Sequence, residues 1–145
     1  MRPRVNRLFG VPIDGGNPVR LIDSEAANPV FSPDGKLIAC SYGNNKVAII
    51  PSEGGEPVKI FDIPTPFIIE PRVQWSSEGR ALIFVDTEAG VSNLWGQSLD
   101  GGPRKQITDF NSDEIFSFAV SQDGKQLGIA RGSEIGDVVL ITDFR

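Results

Sequence analysis

Histidine is absent from the 145-residue sequence, and cysteine and methionine occur once each. Without histidine, a Ser-His-Asp triad and histidine ligation of a metal are excluded. One cysteine cannot form a disulfide within the chain, so the redox compartment is not predicted. The sequence also lacks a G-x-S-x-G nucleophile elbow, a phosphate-binding glycine loop and a D-x-D-x-D-G calcium loop. We therefore expect no enzyme activity, no catalytic residue, no metal site and no cofactor.

Basic residues are too few for a nucleic-acid-binding surface. Lysine and arginine number 14 against 19 aspartates and glutamates, which gives a net charge of −5, whereas binding to phosphate backbones requires a basic surface. Residues 1–6 carry Arg2 and Arg4 without a following apolar segment, so they predict neither a signal peptide nor a membrane anchor. We expect no nucleic-acid partner and no membrane insertion, and the compartment stays unknown.

Helical periodicity is also missing, because no stretch keeps apolar residues at i, i+3 and i+4 over three turns. What the sequence contains is a repeat. Residues 73–110 hold four apolar runs, VQWS, ALIFV, NLWGQSL and KQIT, separated by the turn clusters SSEGR and DGGPR and by a looser loop, DTEAGVS. Four strands joined in order predict an antiparallel meander.

Two turn motifs recur in register along the chain. The first has its glycine at Gly35, Gly79 and Gly124, which are 44 and 45 residues apart, a period typical of propellers and solenoids. The second, D/E-G-G, occurs at residues 14–16, 53–55 and 100–102. In the S-P-D-G-K version of the first turn, proline presets the backbone, aspartate accepts local hydrogen bonds and glycine adopts a positive φ. Each first turn therefore predicts a hairpin.

Together the motifs divide one domain, residues 1–145, into four units. Residues 7–23 match the second half of a blade, residues 28–61 and 73–110 are full blades, and residues 117–145 form an incomplete blade that ends after its third strand, DVVLIT. This division gives thirteen strands. The predicted fold class is all-β, a β-propeller segment of four-stranded antiparallel blades with two full blades and two partial ones.

The second strands support stacking of these blades. Ile38 and Cys40 in one unit correspond to Leu82 and Phe84 in the next, and residues two apart share one face of a sheet. The intervening Ala39 is also non-polar, so both faces of each sheet are predicted to be covered. Cys40 is therefore expected to be a buried filler, and Trp75 and Trp95 to pack between blades.

The pairing of F/W-S-x-D/E-G-K/R with an apolar second strand, L-W-x-x-x-L-D-G-G and a final I-T run resembles the WD40-like (PD40) repeat of TolB-type β-propellers. The resemblance covers nearly the whole chain, and the closing DVVLITDFR resembles the C-terminal propellers of bacterial kinases and regulators. It implies a propeller fold and a non-catalytic interaction or sensing scaffold. The alternative implied by the same family is the accessory propeller of a larger enzyme, either a serine/threonine kinase or a prolyl-oligopeptidase-type peptidase.

Complete members of that family close a ring of about six blades, more than this sequence supplies. An open arc leaves unpaired strand edges, which invite association. Three possibilities stay open, namely a piece of a longer protein, a short chain whose copies assemble into a six-bladed homodimeric ring, and a stable open arc. In the assembly, thirteen strands leave one surplus strand at each junction.

A protein or peptide partner is expected at the end of the sheets that carries the variable loops, because loops on a rigid scaffold are the usual binding surfaces. Those loops are residues 41–46, 62–72, 86–93, 109–117 and 131–137. The alternative is that residues 67–69 pack between two blades and that the acidic residues are merely solvated. The candidate contact residues are Tyr42, Asn44, Phe67, Ile68, Glu70, Arg72, Asp113, Glu114 and Arg131.

Overall fold

The computed structural model describes residues 5–63 and 73–134. Within these ranges the chain contains strands and turns and no helix. The described strands, in chain order, are β1 Phe9–Gly10, β2 Val19–Arg20, β3 Ala26–Phe31, β4 Leu37–Tyr42, β5 Lys46–Pro51, β6 Lys59–Phe61, β7 Val73–Trp75, β8 Ala81–Glu88, β9 Val91–Ser98, β10 Lys105–Gln106, β11 Glu114–Val120 and β12 Leu127–Gly132.

These strands form four antiparallel sheets. Two sheets have four strands in the orders β3-β4-β5-β6 and β7-β8-β9-β10, and the other two, β1-β2 and β11-β12, have two strands each. The four-stranded meander, the all-β class and the blade architecture predicted from the sequence are confirmed. The division into units at 7–23, 28–61, 73–110 and 117–145 stays a prediction, and the predicted third strand of the last unit lies outside the described residues.

A serine hydroxyl stabilises the S-x-D-G turns by two hydrogen bonds in each turn. Ser32 Oγ donates to Asp34 Oδ1 at 2.6 Å and accepts from the Leu37 amide at 3.0 Å. The last unit repeats this arrangement, with 2.6 Å from Ser121 Oγ to Asp123 Oδ1 and 2.9 Å to the Gln126 amide. Gly35 adopts a φ of 72° in the first of these turns, a conformation that glycine enters without a steric penalty. The recurring serines are therefore structural.

Apolar residues form a core between each pair of consecutive sheets. The first core joins the β1-β2 hairpin, through Leu8 and Leu21, to Ile38 and Cys40. The second joins the two four-stranded sheets, and Phe84 at its centre has no exposed surface. The third joins the β7–β10 sheet to β11-β12. Since each four-stranded sheet is covered on both faces, the sheets stack as blades.

The first strands of consecutive sheets are also bonded to one another. Trp75 Nε1 donates to the Val30 carbonyl oxygen at 2.8 Å. Gln74 Nε2 donates to the Phe118 carbonyl oxygen at 2.5 Å, and Gln74 Oε1 accepts from the Val120 amide at 3.3 Å. These bonds fix β3, β7 and β11 side by side. The predicted packing role of Trp75 is confirmed, and it includes a hydrogen bond that the pattern did not indicate.

Two predicted loops are shorter than expected. The loop predicted at residues 86–93 is wrong, because β8 continues to Glu88 and β9 begins at Val91. The connection is the two-residue turn Ala89-Gly90, with φ angles of 50° and 79°, which are those of a type I′ hairpin turn. The strand expected from residue 117 begins instead at Glu114, and a bulge between Ile115 and Ser117 separates its two paired stretches.

Candidate functional site

Three of the predicted contact residues meet where the β10–β11 segment approaches β12. Arg131 lies beside Asp113, with 3.7 Å from Nη2 to Oδ2, and it donates to the Ser112 carbonyl oxygen. Its guanidinium carbon lies 3.9 Å from the centre of the Phe110 ring, within the range of a cation–π interaction. We call Phe110, Asp113, Glu114 and Arg131 the loop-end cluster. Glu114 joins it because it begins β11 opposite Gly132 of β12.

The side chain of Asn93 holds the segment between β10 and β11 in place by three hydrogen bonds. Its side-chain oxygen accepts hydrogen bonds from the Phe110 amide at 2.7 Å and the Thr108 hydroxyl at 2.9 Å, and its Nδ2 donates to the Phe110 carbonyl oxygen at 3.1 Å. The Asp113 carbonyl oxygen accepts from the amide of the buried Ser92 at 3.0 Å. The segment that carries Phe110 and Asp113 is thus held on β9. Asn93 and Phe110 were not among the predicted residues, since an asparagine in a turn-rich segment carries no specific signal.

A shallow polar depression of about 270 Å³ adjoins the cluster. Its wall carries Asp113, Glu114 and Glu134, together with Gly90 from the β8–β9 turn. The carboxylates can accept hydrogen bonds from amide or ammonium groups of a partner. Among the described residues, no group of three or more cysteine, aspartate or glutamate side chains is placed to hold a metal ion.

The remaining predicted residues are not part of this cluster. Tyr42 packs against the first core and donates its hydroxyl hydrogen to Ser24 Oγ at 3.2 Å. Asn44 is exposed in the β4–β5 turn. Both belong to the β3–β6 sheet, and the β7–β10 sheet separates them from Arg131. Phe67, Ile68, Glu70 and Arg72 lie outside the described residues.

A second concave surface lies on the first strands, near the S-x-D-G turns. This groove of about 350 Å³ crosses the edges of three sheets, and its apolar wall is formed by Val30, Phe31, Pro33, Trp75 and Val120. Phe31 is 59% exposed there. The sequence did not predict this groove, because its wall is formed by residues of three different sheets.

The cysteine and the two turn aspartates with shifted pKa values all have roles in the fold. Cys40 is 2% exposed, its thiol donates to the Ala48 carbonyl oxygen at 3.7 Å, and burial raises its pKa to about 11. A neutral, buried thiol is a poor nucleophile. In the exposed turns, the Ser32 hydroxyl and the Lys36 amide lower the pKa of Asp34, and the equivalent bonds from Ser121 and Lys125 lower that of Asp123. These carboxylates remain ionised acceptors within their turns.

The described part of the chain, residues 5–63 and 73–134, offers no helix with the length and apolar character to cross a membrane.

Comparison with solved structures identifies the architecture. A structure described as a TolB from Agrobacterium tumefaciens superposes with a TM-score of 0.62 at 20% sequence identity, over 87% of this chain and 50% of that one. The chain has a TolB-like β-propeller fold. It spans half the length of that TolB protein. Neither a scan against protein-family models nor a search of curated proteins found a match, so the likeness supports the TolB-like fold and does not establish the PD40 repeat family.

Proposed function

We propose that this TolB-like domain is a non-catalytic scaffold that binds a protein or peptide partner at the loop end of its sheets. The observation that carries the proposal is the fixed position of Arg131, which stacks on Phe110 and lies beside Asp113. An arginine held by an aromatic ring and a carboxylate loses little conformational freedom when a partner binds. The cluster is therefore preorganised for contact.

The chemistry of this surface favours a partner of mixed charge. The Arg131 and Asp113 side chains are 31% and 37% exposed, so each retains surface for a second interaction. A partner carboxylate fits the guanidinium, and amide or ammonium donors fit Asp113 and Glu114. The proposed surface also includes Tyr42, Asn44, Phe67, Ile68, Glu70 and Arg72 as predicted from the sequence.

The test is affinity capture with matched variants, followed by identification of the bound protein and reconstitution with that protein in purified form. We expect Arg131→Ala and Glu114→Lys to weaken binding by tenfold or more. Arg80→Ala is the control, because Arg80 is exposed at the opposite end of the β7–β10 sheet. Equal binding by the wild type and both loop-end variants, with folding verified by circular dichroism, would contradict the proposal.

The alternative proposal, an accessory propeller domain of a larger kinase or peptidase, is supported by the apolar surface at the N-terminal end of the arc. Phe9, Ile13 and Phe31 are all exposed there, and further blades of one longer chain would cover such a surface. This alternative predicts a monomeric 145-residue protein in solution.

A further inference from the structure

Six turns within the described residues share one backbone arrangement. In each turn a glycine with a positive φ follows an aspartate or a glutamate, and its amide donates to the carbonyl oxygen three residues earlier at 2.8–3.1 Å. Since this backbone hydrogen bond is alike in all six, the side chains distinguish the turns chemically. The glycines and their acceptors are Gly15 and Pro12, Gly35 and Ser32, Gly54 and Pro51, Gly79 and Ser76, Gly101 and Ser98, and Gly124 and Ser121.

Four of the six turns contain the pair Asp-Gly, which is open to a rearrangement that needs no enzyme. The glycine nitrogen attacks Cγ of the aspartate, because no side chain on glycine blocks its approach. A C–N bond forms, the C–O bond of the protonated carboxyl breaks, and its hydroxyl leaves with the amide proton as water. Water then adds to the α-carbonyl carbon of the cyclic imide, whose C–N bond breaks there. The product is isoaspartate, in which the chain continues through the former side chain.

Two of the four aspartates are held by neighbouring donors. Asp34 Oδ1 accepts from Ser32 Oγ at 2.6 Å and from the Lys36 amide at 3.0 Å. Asp123 Oδ1 has the equivalent serine and lysine donors at the same two distances. These donors favour the ionised carboxylate and lower the pKa of both aspartates, with the serine hydroxyl as the larger cause. Loss of a hydroxyl from these two carboxyl groups is therefore disfavoured.

The carboxylates of Asp14 and Asp100 receive no such bond from the described part of the chain. The residue that begins the first of these turns is Pro12, which has no hydroxyl. The second turn begins with Ser98, but its Oγ accepts from the Asp100 amide at 3.2 Å. Both aspartates are exposed. A Cβ atom added to the glycine of either pair would meet nothing within 4 Å, so there is room for the cyclic imide.

We propose that Asp100-Gly101 and Asp14-Gly15 are sites of spontaneous isoaspartate formation, and that the serine hydroxyls protect the other two Asp-Gly pairs from the same reaction. Isoaspartate lengthens the backbone of the turn by one carbon and leaves an α-carboxylate on it. That carboxylate is the group on which a carboxyl methyltransferase specific for isoaspartate would act.

The Asp100 turn makes contacts that this change affects. Gln97 Nε2 donates to the Gly102 carbonyl oxygen at 3.2 Å, and Lys59 of the preceding four-stranded sheet donates to the Leu99 carbonyl oxygen. Isoaspartate in this turn shifts these acceptors relative to their donors. We therefore expect the modification to loosen the β9–β10 hairpin and its link to the β3–β6 sheet. The loop-end cluster lies at the other end of the sheets, so this proposal stands apart from the proposed partner site.

Storage of the folded 145-residue protein near neutral pH at physiological temperature tests the proposal. Peptide mapping with endoproteinase Asp-N, which cleaves before aspartate and not before isoaspartate, gives the conversion at each site over time. We expect Asp14 and Asp100 to convert at least tenfold faster than Asp34 and Asp123. The control is protein stored in guanidinium chloride, in which all four sites should convert at similar rates because the serine bonds are lost.

Matched variants assign the difference to the side chains. Ser121→Ala should raise the rate at Asp123 at least threefold and leave the rate at Asp34 unchanged. Ser32→Ala makes the same test at Asp34 if the first variant does not fold. Asp100→Glu should abolish conversion at residue 100 and keep the fold, because Glu53 occupies the corresponding position of the β5–β6 turn.

Equal rates at the four sites in folded protein would overturn the proposal, and so would conversion confined to the unfolded protein. The same ranking of sites in guanidinium chloride would also overturn it, because the local sequence would then set the rates. A rate at Asp123 that does not respond to Ser121→Ala would refute protection by the serine hydroxyl.

Discussion

The indole Nε1 of Trp75 donates a hydrogen bond to the Val30 carbonyl oxygen across the boundary between the two four-stranded sheets, at 2.8 Å. Trp75 also packs in the core that these sheets share. One side chain thus joins consecutive blades by an apolar contact and a polar one. The hydrogen bond fixes the position of one sheet relative to the next, whereas the apolar contact alone would only hold them together.

Replacing Trp75 by phenylalanine separates the two contributions. The substitution keeps most of the buried ring but leaves the Val30 carbonyl oxygen without its donor, so we expect the free energy of unfolding to fall by about 1–2 kcal/mol. Trp75→Ala also removes the ring and is expected to lower it by about 3–5 kcal/mol. Urea unfolding measures both variants. Trp95→Phe, at a half-buried position, is the control, and a loss as large as that of Trp75→Phe would refute the role of the bond.

The contact between successive turns is tested at Gly124. Alanine there meets Ser77 Oγ at 2.2 Å in addition to the strain of a φ of 70°. We expect Gly124→Ala to lower the free energy of unfolding by more than the roughly 1 kcal/mol of backbone strain. Ser77→Ala removes the hydroxyl but keeps Cβ at 3.1 Å, so it should recover part of the excess in the double variant, as a double-mutant cycle measures. Strict additivity would show that the turns do not contact.

The β8–β9 turn offers a stabilising substitution. Ala89 adopts a φ of 50° before Gly90 at 79°, and Asn-Gly suits such a turn better than Ala-Gly. Ala89→Asn should raise the free energy of unfolding by about 1 kcal/mol, since asparagine tolerates the left-handed region. Thermal and urea unfolding measure the change. A destabilised Ala89→Asn protein would argue against the type I′ turn.

The serine–aspartate bond in the first turn makes a pH-dependent contribution. The pKa of Asp34 is lowered from its ordinary 3.8 by the Ser32 hydroxyl first and the Lys36 amide second. A lowered folded-state pKa gives stability that is complete above pH 3.8 and is lost as pH falls through the folded value. Ser32→Ala should raise the pKa of Asp34 and leave the pKa of Asp123 unchanged. Carboxyl titration by NMR measures both pKa values. An unchanged pKa of Asp34 would refute the Ser32 hydroxyl as the main cause of its lowered pKa.

Sequence analysis predicted the blades because their signals are local. Gly35, Gly79 and Gly124 mark turns that need a positive φ, and the alternation around Cys40 follows from the two faces of one strand. The tight β8–β9 turn was missed, and a longer loop was predicted in its place, because Ala89 is not a typical turn residue. The exposure of Phe31 was not predicted, because the alternation of residues within one strand does not show how closely a neighbouring sheet covers a side chain.

Only some residues of the candidate site could be predicted, because the others act through contacts that the local sequence does not show. Loop position indicated Asp113, Glu114 and Arg131, and the structure brings them together. Phe110 and Asn93 act through the fold, since one stacks beneath the guanidinium and the other fixes the segment that carries the cluster. Neither role leaves a local pattern in the sequence.

The most direct test is the affinity of the 145-residue protein for its captured and purified partner, measured by isothermal titration calorimetry. Binding at the loop-end cluster predicts at least tenfold weaker affinity for Arg131→Ala, which removes the guanidinium beside Asp113, and unchanged affinity for the Arg80→Ala control. Equal affinities for the wild type and both variants, with folding verified by circular dichroism, would contradict the account.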